Sequence, residues 1–485
     1  MRRPTRQGLT LAATIIGSSL AFIDATVVFV ALPTIERDLD LGLAGEQWMF
    51  LAYSLPLAAL YLPAGAVGDR YGRRETFIAG AVGFALTSLL AGAAPNAELL
   101  IAARVLQGIS GAFLTTNSLA LLRASYGDQA GRAVGLWTSF TSVSTIAGPP
   151  LGGALAEWVS WRWIFLINLP LAVATVVLAR LGVCEERAQL RVGRLDVPGA
   201  VAAAVGFGAL TYGLVEGAER GFGDVWWALA LAAVGLVAFV AVELRVAEPM
   251  LPFALFRHRN FAAANLETFF AYAALYAVFY FLTLYVQFLG FSAFEAGLIN
   301  IPTTIVMILL AARFGGLADR HGPRLYLTVG PALLGVGALL FMALDERADF
   351  WTFGFAGLLV FALGLAVMVA PITATALKSA PKELAGIASG VNSTVSRLGS
   401  LLAIAAIGVV VSLVFKGQID VEDAVPLARD QEGAELRSAS IDAFRAAMVI
   451  AAALAFTAAV VGALGISNRE LAKKEEVSET APVPA

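Results

Sequence analysis

The chain has 485 residues, of which 59% are hydrophobic and 14% are charged, so it is more apolar and less charged than a typical soluble domain. Its net charge of -3, single cysteine and two histidines argue against a nucleic-acid partner, an internal disulfide and a metal cluster. We therefore expect an integral membrane protein that uses no metal and no cofactor.

Apolar segments long enough to cross a membrane recur along nearly the whole chain, since a spanning helix needs ~20 mainly apolar residues. The first follows the basic start MRRPTRQ; its long apolar run, which includes Asp24, indicates a retained helix rather than a signal peptide. The hydrophobic pattern predicts fourteen spanning helices, at about 9–33, 46–68, 76–94, 98–120, 133–156, 162–182, 196–215, 225–245, 261–288, 294–316, 325–344, 351–373, 385–415 and 441–466.

Basic residues concentrate in alternate loops, which sets the predicted orientation. Arg70 and Arg73 follow the second predicted helix, Arg320 and Arg324 follow the tenth, and the loops on the opposite side, including 416–440, are acidic. Because cytoplasmic loops are enriched in Lys and Arg, both termini are predicted to be cytoplasmic. We expect a multi-pass protein of the inner (cytoplasmic) membrane.

One motif occurs twice: GAVGDRYGRR at Gly65–Arg74 and GGLADRHGPR at Gly315–Arg324 share the frame G-x-x-x-D-R-x-G-x-R. Both copies lie in predicted cytoplasmic loops after a membrane helix, as expected for the internal duplication of many secondary transporters. The predicted organisation is an N-terminal six-helix bundle over 1–182, a linker with inserted helices 7 and 8 over 183–260, a C-terminal six-helix bundle over 261–466, and a disordered cytoplasmic tail over 467–485.

These and further motifs resemble the major facilitator superfamily, and in particular its fourteen-helix drug:proton antiporter branch. The matching segments are IDATVVFVALP in helix 1, GAVGDRYGRR after helix 2, RVLQGISGA in helix 4, AGPPLGG in helix 5 and WRWIFLINLP at the start of helix 6. The resemblance covers almost the whole chain and implies an all-α integral membrane fold of two six-helix bundles plus two inserted helices. One departure is Phe29, where the family pattern usually has Asn; it favours apolar cargo.

The resemblance also implies roles for two sets of residues. The repeated loop motif would hold the cytoplasmic side closed, a gate carried by Gly65, Asp69, Arg70, Gly72, Arg73, Asp319 and Arg320. The AGPPLGG block marks exporters in the family, which assigns that signature to Gly148, Pro149, Gly152 and Gly153. The arginines alone fit a plain topology signal, and the glycines alone fit tight helix packing.

Asp24 and Arg104 are predicted to meet inside the membrane. At 1.5 Å per residue, Asp24 lies ~22 Å from the cytoplasmic end of helix 1, and Arg104 lies ~9 Å from the outer end of helix 4, which is about the same depth. Burial opposes the charge on the carboxylate and a nearby arginine supports it, so such a site can take up and release a proton. The alternative is a static ion pair that joins two helices.

Two more charged residues lie within predicted helices, and a third, Glu157, lies at the outer end of helix 5. Glu267 lies ~9 Å from the end of helix 9 and Arg397 ~18 Å into helix 13, where charged side chains are functional candidates. Glu267 is predicted to handle protons or substrate, unless the helix begins later and the side chain reaches the interface. Glu157 is a candidate partner for Arg397.

The leading hypothesis is a proton-coupled antiporter, driven by the proton gradient, that exports amphipathic or cationic small molecules by alternating access as a monomer in the lipid bilayer. The first alternative is export of an endogenous lipid or hydrophobic metabolite, which Phe29 would suit. A membrane enzyme is disfavoured because no reactive constellation is evident. A membrane sensor remains open, and flux across a sealed vesicle would distinguish it.

Overall fold

A computed structural model describes residues 6–127, 130–183, 196–246, 249, 251–344, 354–381, 384–419, 424–429, 431 and 433–469. Within these residues the secondary structure is helical, with no β-strand. Cys184 and the tail beyond residue 469 lie outside the described residues.

Seventeen α-helices follow one another along the described chain. They are α1 Arg6–Leu39, α2 Gly42–Ala59, α3 Tyr61–Tyr71, α4 Arg73–Gly92, α5 Ala97–Tyr126, α6 Ala130–Trp158, α7 Trp163–Leu166, α8 Asn168–Gly182, α9 Val197–Arg220, α10 Trp226–Glu243, α11 Arg259–Phe288, α12 Ala293–Ile299, α13 Ile301–His321, α14 Arg324–Phe341, α15 Phe355–Ser379, α16 Ala385–Lys416 and α17 Ala434–Gly465. A 3-10 helix, Phe253–Arg257, precedes α11. Each of the fourteen predicted segments falls on one of these helices or on a broken pair.

The predicted second, sixth and tenth segments are not continuous. The second breaks at Leu60 into α2 and α3, which are bent by 52°. Pro56 lies within α2 and Pro63 in the first turn of α3, and proline removes a backbone donor and crowds the preceding turn. The sixth breaks at Ile167, and the tenth breaks at Asn300, just before Pro302.

Twelve of the described helices or helix pairs are long and apolar enough to cross a membrane, or thirteen when the bent pair α2 and α3 is taken as one span. The remaining long helix, α6, Ala130–Trp158, has 29 residues but is not among the helices that are apolar enough to be counted as spans. Its sequence is richer in Ser, Thr, Gly and Pro than that of the other long helices. The chain is therefore a multi-span α-helical membrane protein.

The chain forms two compact units. The first contains Met1–Met250, Leu282–Asn300 and Phe415–Ala439, and the second contains Leu251–Phe281, Ile301–Val414 and Ser440–Ala485. In the first unit, α1 packs against α2, α5, α6 and α8, and a buried core that includes Leu20, Phe77 and Phe84 fills the space between helices. In the second unit, α15 packs against α13 and α14.

Candidate charge-relay site in the first unit

Asp24 lies on α1 with its side chain fully buried and fully hydrogen-bonded. Its Oδ2 accepts a charged hydrogen bond from Nη1 of Arg104 on α5. Its Oδ1 accepts from Nε2 of Gln107 at 2.9 Å and from Nδ2 of Asn168 on α8 at 3.2 Å. Burial opposes the negative charge, whereas the guanidinium and the two amide donors support it. The predicted meeting of Asp24 and Arg104 is thus present in the structure.

Arg104 is held on several sides. Its Nε donates to the carbonyl oxygen of Met49 on α2 at 3.0 Å, and its Nη1 also donates to Oε1 of Gln107 at 2.8 Å. The guanidinium carbon lies 4.4 Å from the ring centroid of Tyr53 and 5.6 Å from that of Phe165, which is within cation–π range. Nη2 has no hydrogen-bond partner among the described residues. The arginine therefore keeps a spare donor when Asp24 is ionised.

Ser88 extends the network to α4. Its Oγ accepts from Nε2 of Gln107 at 2.8 Å and from Nδ2 of Asn168 at 3.3 Å. Ser88, Gln107 and Asn168 are all buried, so each depends on the others for its hydrogen bonds. Five helices or helix segments, α1, α2, α4, α5 and α8, thus meet at one polar cluster.

Sequence reasoning missed Ser88, Gln107, Asn168 and Tyr53. The first three are neutral, so the search for intramembrane charges passes over them. Gln107 follows Arg104 by three residues, which places both on one face of a helix, and this spacing was the available signal. Asn168 lies in WRWIFLINLP and Ser88 in a run of apolar residues, where no spacing links them to Asp24.

The predicted antiporter motif lies on α6, close to α1. A Cβ on Gly148 would collide with the side chain of Thr26, and one on Gly152 would collide with the carbonyl of Val27. Thr26 Oγ1 also donates to the carbonyl of Thr145 on α6 at 3.2 Å. The contacts bring the α6 backbone against α1 two to three residues after Asp24.

Two more residues of this motif contact α12. A Cβ on Gly153 would collide with the backbone of Ala293 and Phe294, and one on Gly297 would collide with the backbone of Pro149. Small residues thus allow close approach on both sides of α6.

The first copy of the predicted gate motif forms the junction of α3 and α4. Nε of Arg73 donates to Oδ1 of Asp69 at 2.7 Å, and both side chains are partly exposed. Gly72 joins the helices with φ of 104°, a conformation that favours glycine. A Cβ on Gly65 would meet nothing within 4 Å, and the Arg70 guanidinium lies 5.7 Å from the centroid of the Tyr71 ring.

The second copy of the motif lies at the end of α13 and is built differently. Oδ1 of Asp319 accepts from Nζ of Lys378 on α15 at 3.0 Å. A pocket of about 330 Å³ beside this ion pair is lined in part by Arg320, His321 and Asn468. Here the motif aspartate joins α13 to α15, which is distant in sequence, whereas Asp69 on α3 pairs with Arg73 four residues later, at the start of α4.

Glu267 lies on α11 in the second unit and is fully buried. Both of its carboxylate oxygens are without a hydrogen-bond partner among the described residues. Gly462 on α17 adjoins it, since a Cβ there would lie 3.1 Å from Oε2. Glu267 is therefore a buried acid rather than an interfacial one, and an ionised carboxylate without a partner is costly at such a position.

The predicted partnership of Glu157 and Arg397 stays a prediction. Oε2 of Glu157 accepts from the backbone N–H of Phe294 at 3.0 Å, a contact within the first unit. Arg397 lies on α16 in the second unit, where its carbonyl accepts from Oγ of Ser400 at 2.7 Å. No group of three or more His, Cys, Asp or Glu side chains that could hold a metal ion occurs in the part of the chain that the structure describes.

Comparisons with known proteins identify the family. The profile of the Major Facilitator Superfamily matches residues 14–404. The chain is 34% identical over 427 residues to multidrug resistance protein Stp of Mycobacterium tuberculosis, covering 87% of this chain and 79% of that protein. It is also 34% identical over 408 residues to the tetracenomycin C resistance and export protein of Streptomyces glaucescens, covering 83% and 76%.

A solved structure of the same fold is that of a bacterial homolog of the human lysosomal transporter Spinster, in an inward-facing and occupied conformation. The TM-score is 0.67 at 19% identity, with 98% of this chain and 99% of that chain covered.

Proposed function

Because the chain belongs to the Major Facilitator Superfamily, we propose that it is a proton-coupled antiporter that exports amphipathic or cationic small molecules by alternating access. The observation that carries this proposal is the buried Asp24 carboxylate, bonded to Arg104 and to two amide donors. A charged pair inside a membrane protein is a functional candidate. Relatives named for multidrug resistance and for antibiotic export support the direction and the class of substrate.

The proton binds to Asp24 in this scheme. Protonation neutralises the carboxylate and removes the ionic part of its bond to Arg104, whose guanidinium keeps its acceptors on Met49 and Gln107. A net positive charge is then left in the site, which disfavours a cationic substrate and promotes its release. Release of the proton from Asp24 on the opposite side of the membrane restores the ion pair with Arg104 and the starting state.

Glu267 is proposed as a second proton site, in the second unit. With no hydrogen-bond partner among the described residues, its carboxyl group is stable in the dry interior only while it carries a proton. Release of that proton therefore requires a change that admits water or a cation. This couples the protonation of Glu267 to conformation.

The two copies of the repeated motif are proposed as cytoplasmic gates. The Asp69–Arg73 and Asp319–Lys378 ion pairs are both partly exposed, so each contributes little stability and breaks readily. Such contacts suit an element that opens and closes in every transport cycle. The close approach of α6 to α1 at Gly148 and Gly152 is proposed to transmit changes around Asp24.

We propose fourteen spans with both termini in the cytoplasm of a bacterial cell, in the inner membrane. The fourteenth span is α6, whose 29 residues give a length of ~44 Å, enough to cross the bilayer. The organisation proposed is two six-helix bundles, 1–182 and 261–466, with α9 and α10 as the inserted pair, in a protein that works as a monomer. A reporter fused after Gly465 that reads as external would contradict this orientation.

A second candidate function is export of an endogenous lipid or hydrophobic metabolite. Phe29 supports it, because its ring packs against that of Phe50 at 4.9 Å between centroids and an angle of 30°, and it offers no polar contact to a substrate. The two functions differ in substrate and share the proton site.

The test is transport in proteoliposomes with an imposed pH gradient and a panel of a cationic dye, a neutral aromatic antibiotic and a fluorescent phospholipid. We expect uphill movement of the dye or the antibiotic, abolished when nigericin collapses the gradient. Uphill movement that survives nigericin would contradict proton coupling, and movement of the phospholipid alone would favour the second candidate.

A further inference from the structure

Asn117, on α5, is a buried amide that the scheme above leaves without a role. Its side chain is 1% exposed, and its Nδ2 donates to the carbonyl oxygen of Ala64 on α3 at 3.2 Å. The same nitrogen donates within α5 to the carbonyl oxygen of Phe113 at 2.8 Å. Asn117 therefore joins α5 to α3, the short helix that carries most of the first copy of the gate motif.

Gly68, on α3, supplies the space that this amide occupies. A Cβ on Gly68 would overlap Oδ1 of Asn117 and would lie 2.7 Å from its Cγ. Oδ1 has no hydrogen-bond donor among the described residues, and the α-hydrogen that a Cβ would replace points at it, which is a weak C–H···O contact. Gly68 follows Ala64 by four residues, about one helical turn. The amide thus spans one turn of α3, with its nitrogen on the Ala64 carbonyl and its oxygen against Gly68.

A contact of this kind matters because α3 does not continue α2 in a straight line. The two helices are bent by 52° at the break at Leu60, and residues at the ends of helices can absorb large changes of backbone angle as hinges. The direction of α3 therefore depends on its packing against α4 and α5. Asp69 follows Gly68 directly, so the contact with Asn117 lies next to the gate carboxylate.

The second copy of the motif is tied to its neighbour by different atoms. Ala318 takes the place of Gly68, so a Cβ stands where Gly68 leaves room for an amide. Oδ1 of Asp319 instead accepts from Nζ of Lys378 on α15 at 3.0 Å. In the proposed organisation, α5 and α15 are each the fourth span of their bundle. In both units, the helix that carries the motif is thus bound to the fourth span by a polar side chain.

We propose that Asn117 is a positioning residue for the first cytoplasmic gate and that Gly68 is its complement on α3. The amide holds α3 against α5 at the angle that brings Asp69 to Arg73. When the amide is lost, α3 swings at Leu60 and the gate opens more readily. The inference rests on the proposed role of the repeated motif as a gate.

The test measures the distance between α3 and α5 by pulsed electron paramagnetic resonance in the full-length protein. Nitroxide labels are placed at Ala66 on α3 and Ala124 on α5, both of which are exposed, after Cys184 has been replaced with Ser. Asn117→Leu keeps the approximate size of the side chain and removes its hydrogen bonds. We expect the distance distribution to broaden, its mean to lengthen, and uphill transport to fall several-fold.

Two further variants accompany this measurement. Asn117→Ala is the second variant, in case the buried leucine impairs folding, and should broaden the distance distribution in the same way. Asn392→Leu is the matched control, because Asn392 on α16 is also a buried amide and donates to Oγ1 of Thr268 on α11 at 2.9 Å. It should leave the distance between α3 and α5 unchanged.

A reciprocal change of size distinguishes positioning from packing. Gly68→Ala alone should lengthen the distance and lower the melting temperature, because the new Cβ collides with the Asn117 amide. Gly65→Ala, whose Cβ would meet nothing within 4 Å, should do neither. Combining Gly68→Ala with Asn117→Ala makes room for the methyl group and should restore the melting temperature. The distance should stay long and transport low in this double variant, because the amide is absent.

A distance that matches wild type in both Asn117→Leu and Asn117→Ala would overturn the positioning role. Recovery of both the distance and transport in the double variant would also overturn it, because packing alone would then account for the contact. A longer distance with unchanged transport would overturn the link to the gate. The distance is measured without a substrate or a pH gradient, so it is independent of proton-coupled export, which the proteoliposome assay tests separately.

Discussion

Replacing Asp24 with Asn while also replacing Arg104 with Gln distinguishes a proton carrier from a structural ion pair. Asp24→Asn alone leaves the guanidinium buried with Met49 and Gln107 as its remaining acceptors. Breaking a buried pair by removing one partner costs about 3–5 kcal/mol. We therefore expect a clear loss of thermal stability in this variant. The double variant removes both charges and should recover much of that loss.

Transport should behave differently from stability. A gradient of about one pH unit supplies ~1.4 kcal/mol per proton, which sustains a roughly tenfold accumulation of substrate when one proton moves per cycle. Asn keeps the shape of Asp24 and cannot titrate. Both the single and the double variant should therefore show an accumulation ratio near unity under the imposed gradient, while downhill exchange persists in the variant that is well folded.

The matched control is Asp38→Asn, the same chemical change on the same helix. Asp38 also pairs with an arginine, Arg162, at 2.8 Å, but both side chains are partly exposed, and exposed pairs are worth about 0–1 kcal/mol. This variant should keep both its stability and its accumulation ratio. If the variant with both Asp24→Asn and Arg104→Gln accumulates substrate as wild type does, Asp24 is a structural residue and the coupling scheme is wrong.

Three more outcomes are expected. Asp69→Asn removes the ion pair with Arg73, and this variant should insert normally with little change in stability. It should nevertheless transport poorly and show faster labelling of cysteines placed in the inner cavity. Unchanged labelling and flux would count against the gate. Gly152→Ala should lower stability and transport, because the added Cβ would collide with the α1 backbone. Gly65→Ala, with open space around its Cβ, should be as stable as wild type in thermal unfolding. Equal stability of the two variants would refute the close-packing argument. Glu267→Gln should be at least as stable as wild type, since no hydrogen bond is lost, and should alter the pH profile of uphill transport; an unaltered profile would exclude Glu267 from proton handling.

The positions of the helices could be predicted because hydrocarbon imposes one rule on every span: a length of ~20 apolar residues. The breaks at Leu60, Ile167 and Asn300 could not be located from that rule. Hydrophobicity continues through them, and a proline is tolerated in a membrane helix when neighbouring groups satisfy the backbone. Where a helix bends instead of continuing thus depends on its packing.

The pairing of Asp24 with Arg104 could be predicted because rise per residue gives depth directly. Depth does not give the direction in which a side chain points. For this reason the amide donors Gln107 and Asn168 went unnoticed, and so did Lys378 as the partner of Asp319. The same limit applies to Arg397, for which sequence gives a depth and only a candidate partner, Glu157.

The same helix, α1, carries the proposed proton site and the closest contacts of the antiporter motif. Thr26 and Val27, against which Gly148 and Gly152 pack, follow Asp24 by two and three residues. A backbone contact this close leaves no room for side chains to absorb a shift, since packed interfaces do not deform continuously. Any movement of α1 that follows protonation of Asp24 must therefore move α6 with it or separate the two helices. In the proposed scheme, the absence of side chains at Gly148 and Gly152 therefore lets a proton bound at Asp24 act on α6 without any direct contact between α6 and the carboxylate.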